Sequence, residues 1–403
     1  MTTVAIICEY NPFHLGHAYQ IEKIRSEFGE DTCIIALMSG NFVQRGTPAI
    51  FDKYARAKAA LEGGVNLVLE YPFPFCSSGA NYFAKYAVKI INSLDCVDYL
   101  SFGTETGNLK QISQIADAIT SETYEQLLKS KLLTSNKNLG FAEIRESILL
   151  QLCPEIPPKV YRSPNNILAI EYLVALKKEN SKIVPHTVKR TIDYHASTLT
   201  ENGVASASYI RELLSNGNLG KALASLPEKT SALYQSAYLN GFWVDQNLEL
   251  CSKLMLSHFR LVPYTDLCFE CTEELMNRIY NSSQKAKNYF DLIKFSQAAH
   301  FTKARVQRAI LHAWLGTPKD FCQTDPQYTQ LLAADENGMT KLKQIHRCGT
   351  IKVLTKPAAT HLLCPLAKKQ ADFCAKADSI YSLLQPSLGA GDEFFRKSPY
   401  CVR

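Results

Sequence analysis

The chain reads as an α/β protein: an open, doubly wound parallel sheet with helices on both faces, followed by a mainly α-helical C-terminal domain. Short apolar runs alternate with amphipathic helical stretches up to about residue 220, the rhythm of β-α-β units. Beyond about Ala222 strand signals fade while helical spacing continues. A length of 403 residues also exceeds what one hydrophobic core usually organises. Two domains are expected, 1–220 and 221–403.

The elements follow in order. "TVAIICEY" (2–9) is an uninterrupted apolar run that suits a strand buried on both faces, and "HAYQIEKIRSEF" (17–28) has helical spacing. "DTCIIALMSG" (31–40) is a second strand and "KYARAKAALEGG" (53–64) a helix closed by glycines. "VNLVLEYP" (65–72) is a strand stopped by Pro, "ANYFAKYAVKIINSL" (80–94) a helix and "DYLSFGTE" (98–105) a fourth strand. Residues 111–153 are helical and polar. "SPNNILAIEYLVAL" (163–176) opens a helix with Pro in its first turn, "IVPHTVKR" (183–190) is a further strand, and "SASYIRELLSNG" (206–217) is a serine-capped helix. Later, "TEELMNRIYNSS" (272–283) and "TKARVQRAILHAWLG" (302–316) carry helical spacing, and a short mixed stretch follows at 349–357.

Apolar content of 46% and charged content of 20% describe a folded protein, and no stretch approaches the roughly 18 to 20 apolar residues of a membrane span. A soluble, cytoplasmic protein is expected. The thirteen cysteines show no framework spacing, so reduced thiols are expected; Cys268 and Cys271 form one C-x-x-C without a second pair to complete a zinc site. The net charge of +6 is uneven. Residues 1–220 hold 21 Lys and Arg against 22 Asp and Glu, a net −1, and residues 221–403 hold 23 against 16, a net +7. That asymmetry suits a polyanionic partner on the C-terminal part, and equally a solvated basic surface.

The segment "ICEYNPFHLGHAYQ" carries the chemistry. Ile7, Cys8 and Glu9 end the first strand, Tyr10, Asn11, Pro12 and Phe13 turn, and His14, Leu15, Gly16, His17, Ala18, Tyr19 and Gln20 run into a helix. A helix N-terminus beside a strand's carboxyl end is an anion site, Gly16 removes a side chain there, and two imidazoles can steady charge on phosphorus. The bland alternative is that both histidines cap a helix.

Together with "MSGNFVQRGTPAIFDKYARAKAALEGGVNLVLEYP", "FGTE", "RSPNNILAIEYL" and "VKRTIDYH", this segment resembles the H-x-G-H signature of the nucleotidyltransferase superfamily, a Rossmann-like fold shared with class I aminoacyl-tRNA synthetases. Within it the chain is similar to the tRNA(Met) cytidine acetate ligases over roughly residues 1–211, and more loosely at "TEELMNRIY", "FTKARVQRAILHAWLG" and "ENGMTKLKQI". Two positions depart: Leu15 stands where the family commonly shows Asn, and Asn66 where it shows Asp. Leu15 removes one possible polar contact near the nucleotide, and Asn66 puts in doubt any carboxylate role there.

The resemblance implies an ATP-dependent ligase that joins acetate to N4 of the wobble cytidine, C34, of elongator tRNA(Met) through an acetyl-adenylate. It implies His14 and His17 on the ATP phosphates, with Mg²⁺ screening them. Gly103 would leave bare backbone for the adenine or ribose, or simply end a strand. Of Asn165 and Asn166, one would cap a helix and the other read the nucleotide. Arg190 would contact phosphate or ribose, with Lys189 as its solvated alternative. Ser206, Ser208 and Arg211 would hold phosphate at a second helix start, or merely cap it. Gln44 and Arg45 would sit at the mouth of the site against acetate, pyrophosphate or tRNA. Arg305 and Arg308 would meet the backbone of the anticodon arm, unless they form a solvated face. His186 and His195 read as structural. Two other readings are a small-molecule adenylyltransferase of cofactor synthesis and a nucleotide-sensing RNA-binding protein without turnover.

Overall fold

A computed structural model describes residues 1–134, 140–190, 205–263 and 266–402. Five parallel strands, β1 (Thr3–Cys8), β2 (Cys33–Ser39), β3 (Leu67–Tyr71), β4 (Tyr99–Thr104) and β5 (Val184–Lys189), fall where the apolar runs place them. With β6 (Tyr328–Ala334), β7 (Lys352–Leu354) and β8 (Tyr400–Cys401) they form an eight-stranded sheet in the order β5-β4-β1-β2-β3-β6-β7, β8 also pairing with β6. All seven residues of β2 are buried, because helices cover both faces.

Alternate side chains separate two cores. Val4, Ile6, Ile34, Ala36 and Met38 pack with Ile21 and Ile24 of helix α1 (Leu15–Phe28) and Ala57 and Ala60 of α2 (Lys53–Glu62). Ala5, Ile35 and Leu37 face the other way, towards Ala87 and Ile91 of α3 (Ala80–Asn92) and Leu173 of the helix Pro164–Lys178. β1 has β2 on one side and β4 on the other, so chain order reverses there and opens a crevice at the strand carboxyl ends.

The fading of strand signals beyond residue 220 needs correction. β6 runs antiparallel to β3, with Leu67 opposite Ala334 and Val68 opposite Ala333, and so extends the sheet of the N-terminal part. Its sequence hides this because two buried polar residues interrupt the apolar pattern. Thr329 Oγ1 donates to the Glu70 carbonyl at 2.6 Å and Gln330 Nε2 to the Tyr54 hydroxyl at 3.0 Å. Tyr234, on the helix Glu228–Leu239, reaches back to stack on Phe51 at 4.5 Å between centroids. An edge at residue 220 therefore does not coincide with an edge of the sheet or of its packing. Among the described residues no helix is long and apolar enough to cross a membrane.

Candidate active site

His14 is the N-cap of α1, and its Nδ1 accepts the Gly16 N–H at 3.0 Å. His17 answers reciprocally: its Nδ1 accepts the His14 backbone N–H at 3.2 Å, completing a capping box built from two imidazoles. The rings lie 3.9 Å apart between centroids, tilted by 33°. Because both Nδ1 atoms accept, the neutral tautomer of each ring carries its proton on Nε2. None of the described hydrogen bonds uses either Nε2. Burial, helped by Arg190 and then Arg211, pushes the His14 pKa down to about 3; burial, His14 and Arg190 hold His17 well below the usual histidine range. Both capping and anion donation are thus open to the same two residues, since they use opposite ring edges.

The crevice beside them has about 400 Å³ of open space and is lined by His14, Gly16, His17, Tyr19, Gln20, Gly103, Val188, Lys189 and Arg190. Gly103 pairs with Val188 in the β4–β5 ladder, and a Cβ on it would come 3.1 Å from Arg190 Cγ. The glycine therefore makes room for the Arg190 stem, and the two share one wall. Lys189 and Arg190 both line the crevice, Lys189 as an exposed residue and Arg190 as a partly buried one.

Arg211 donates Nη1 to the Asn11 carbonyl at 2.7 Å, so the helix Ala207–Ser215 meets the turn ahead of His14. Ser206 caps that helix by accepting the Tyr209 N–H at 3.2 Å and lies 3.0 Å from the Ser208 hydroxyl. Asn165 and Asn166 behave differently from expectation. Neither caps its helix by its own side chain; both are bound to Glu105, and the Asn166 side chain is fully buried. Of the opening segment, Tyr10 and Phe13 are core residues, and Asn11 Oδ1 accepts the Ile50 N–H at 2.8 Å.

Gln44, Arg45, Arg305 and Arg308 do not line this crevice. They gather at a second place. The Gln44 N–H donates to Glu9 Oε1 at 2.9 Å and Gln44 Nε2 to the Ser78 carbonyl at 2.9 Å. A Cβ on Gly46 would sit 2.6 Å from the Arg308 nitrogen, so the 39–46 loop lies directly on the helix Lys303–Leu315. Arg308 Nε is 3.4 Å from Glu270 Oε2, while Arg305 lies over the Phe301 ring at 4.9 Å. Burial first, and Arg305 and Arg45 after it, lower the Arg308 pKa against the pull of Glu270.

The family model of the HIGH nucleotidyl transferases matches residues 1–393. The chain belongs to the HIGH nucleotidyl transferase family. It is 37% identical over 363 residues to a tRNA(Met) cytidine acetate ligase of Caldanaerobacter subterraneus, covering 89% of each chain. A second ligase of that name, from Clostridium perfringens, is 33% identical over 98% of both chains. Among solved structures, Thermotoga maritima TmcAL bound with alpha-thio ATP superposes over the full length of both chains with a TM-score of 0.89 at 27% identity.

As a HIGH nucleotidyl transferase the chain has positions that its sequence did not reveal. Arg56 is wholly buried and ties together the carboxyl ends of β1 and β2: Nη1 donates to the carbonyls of Glu9 at 2.6 Å and Ser39 at 3.0 Å, and Nη2 to that of Gly40. The Phe13 N–H donates to the Tyr234 hydroxyl at 3.1 Å, so a residue beyond 220 steadies the H-x-G-H turn. Charge in a helical pattern normally reads as a solvated face, and a lone Tyr as core, which is why neither was found. Asn66 is structural: Oδ1 accepts the Ile34 N–H at 2.8 Å and Nδ2 donates to Asp335 at 2.8 Å, a contact that a carboxylate could not donate. His186 joins Ser101 at 3.0 Å and Glu27 at 2.8 Å, whereas His195 lies outside the described residues. Cys268 and Cys271 are both buried thiols, and Cys268 donates to Cys271 at 2.9 Å. Among the described residues, no group of three metal-type ligands includes that pair.

Proposed function

We propose that this protein binds ATP in the crevice between β1 and β4, activates acetate as acetyl-adenylate and transfers the acetyl group to N4 of C34 in elongator tRNA(Met). The observation that carries this reading is the paired imidazoles of His14 and His17, both turning Nε2–H away from the helix they cap. As neutral donors they bind phosphate oxygens without gaining a proton, and they stabilise the extra charge as a carboxylate oxygen attacks the α-phosphorus and pyrophosphate leaves. Arg190, on the crevice wall, adds permanent charge to the same end.

The cytidine amine then attacks the acetyl carbonyl, and AMP departs with the bond electrons while the amine loses its proton. In an anticodon loop that amine is unpaired and open to such attack. Among the described residues the lining of the crevice holds no carboxylate, and a cation carried by the nucleotide phosphates suits such a lining. Gln44 and Arg45, beside Glu9, belong to the acceptor side. Arg305, with the net +7 of residues 221–403, supplies the surface for the anticodon arm, while Arg308, largely buried against Glu270, adds to the positive potential there. A cytoplasmic location fits that substrate.

The test is incubation of the protein with ATP, labelled acetate and an elongator tRNA(Met) transcript, followed by nucleoside analysis. Labelled N4-acetylcytidine at position 34 is the expected product. Label that stops at acetyl-adenylate would reopen the acceptor, and an absence of label in any product would overturn the reading.

A further inference from the structure

Glu105 follows β4 directly and faces the N-terminus of the helix Pro164–Lys178. Its Oε1 accepts the Asn165 N–H at 3.0 Å and Asn165 Nδ2 at 2.8 Å, and its Oε2 accepts the Asn166 N–H at 2.9 Å. The link is reciprocal, because the Glu105 N–H donates to Asn166 Oδ1 at 3.0 Å. Two consequences follow from donor and acceptor chemistry. A carboxylate only accepts, so Asn165 must turn its NH₂ to Glu105, leaving Oδ1 turned away from that carboxylate. None of the described hydrogen bonds uses that oxygen. The first N–H groups of a helix normally attract an anion, but here the protein's own carboxylate satisfies two of them.

We propose that Glu105 is a positioning residue for nucleotide binding. It locks Asn165 with its carbonyl oxygen presented as an acceptor for a hydrogen-bond donor on the nucleoside, either a sugar hydroxyl or the adenine amine. It also withholds this helix start from the phosphates, which leaves them to α1 and the Ser206 helix. Gly103 stands two residues before Glu105 on the crevice wall, so the clamp fixes the end of β4 and the start of the helix as one unit. This inference rests on the reading that ATP occupies the crevice.

Acetate-dependent ATP–pyrophosphate exchange in the full chain tests it, with ATP, 2′-deoxy-ATP, 3′-deoxy-ATP and the triphosphate of purine riboside, which lacks the amine. Glu105→Gln replaces one accepting oxygen by a donor; it should raise KM for ATP at least tenfold with kcat within threefold, and Glu105→Asp should recover most of the loss. Asn165→Leu should raise KM similarly, and the double variant should be no worse than the poorer single one. Wild-type protein should discriminate at least tenfold against one of the three analogues, the one that lacks the donor being read, and that discrimination should vanish in both single variants. KM within twofold of wild type in Glu105→Gln, additive losses, or discrimination that survives in that variant would overturn the proposal. If Glu105→Gln does not fold, Asn165→Leu, which keeps the backbone bonds to Glu105, decides: retained discrimination overturns the proposal. Wild-type protein without exchange would sink the ATP reading itself, whereas normal exchange with an indifferent Glu105→Gln would sink only the role of Glu105.

Discussion

Lys53 Nζ lies 2.8 Å from both carboxylate oxygens of Glu70, and neither side chain is exposed to solvent. Asp378, on the helix Pro365–Ser382, approaches the same ammonium at 2.7 Å. Glu70, Cys374 and Asp378 lie together as a metal site would, yet the lysine occupies the position between the two carboxylates. Lys53→Met would strand both carboxylates, and breaking a buried pair in this way costs about 3–5 kcal/mol. Urea unfolding should show a loss of that size; a loss below about 1 kcal/mol would mean that the ammonium is not what holds the two halves together.

The two functions of His14 are separable. His14→Ala should lower the exchange rate by roughly 10²- to 10³-fold, and stability by about 1 kcal/mol through the lost cap. His14→Asn keeps a cap oxygen without an Nε2 donor, so it should restore stability but not rate. Thermal unfolding and exchange kinetics on the same samples check this, and parallel recovery of both would contradict it.

Protonation of the buried histidines sets an acid limit. The pKa values of His14 and His312 are lowered to about 3, in both cases chiefly by burial, from an ordinary value of 6.5. The unfolded chain therefore binds more protons than the folded one as pH falls below about 6.5. Their contribution to stability is present above that value and is lost progressively towards pH 3. Unfolding free energy measured from pH 8 to pH 4 should be flat with respect to these groups at first, then decline below about 6.5, and NMR should find both rings neutral at pH 6.

Gly63 guards the site from behind. Its φ of −81° suits any residue, but a Cβ there would fall 2.3 Å from Cζ of the buried Phe13, whose ring is 5.6 Å from that of His17. Gly63→Ala should cost about 1–3 kcal/mol by overpacking and displace the H-x-G-H turn. Exchange kcat/KM should fall roughly ten- to hundredfold. An alanine variant with normal kinetics would show that Phe13 can yield without moving His17.

Arg305 tests the surface for tRNA. Removing one phosphate contact should weaken tRNA binding and reduce the slope of log affinity against log salt by about one. Filter binding between low and moderate salt measures it, and an unchanged slope would place Arg305 outside the interface.

What could be read in advance depended on how residues advertise their environment. Apolar runs such as "CIIALMS" announce strands because burial on both faces demands it, and His14 to His17 announce a helix start because spacing and composition agree. β6 stayed hidden because Thr329 and Gln330 spend their polar groups on partners more than 250 residues away, a relationship that no local pattern contains. Glu105 was visible only as part of a motif, since two of its partners are the backbone N–H groups of residues 165 and 166 and the third, Asn165 Nδ2, lies 60 residues along the chain. Arg305 and Arg308 share a helix face as their spacing requires, but the packing of the 39–46 loop against that helix is a tertiary fact.

The antiparallel seam between β3 and β6 also bears on how the chain can be divided. A fragment ending near residue 220 would carry every lining residue of the crevice, yet Leu67 to Leu69 would lose their pairing partners and lie along a raw apolar edge. Such an edge recruits strands from other molecules. The Phe13 N–H would lose the Tyr234 hydroxyl at the same cut. The shortened product is thus expected to self-associate rather than work as a minimal adenylating enzyme, and any insertion or circular permutation must leave that seam whole.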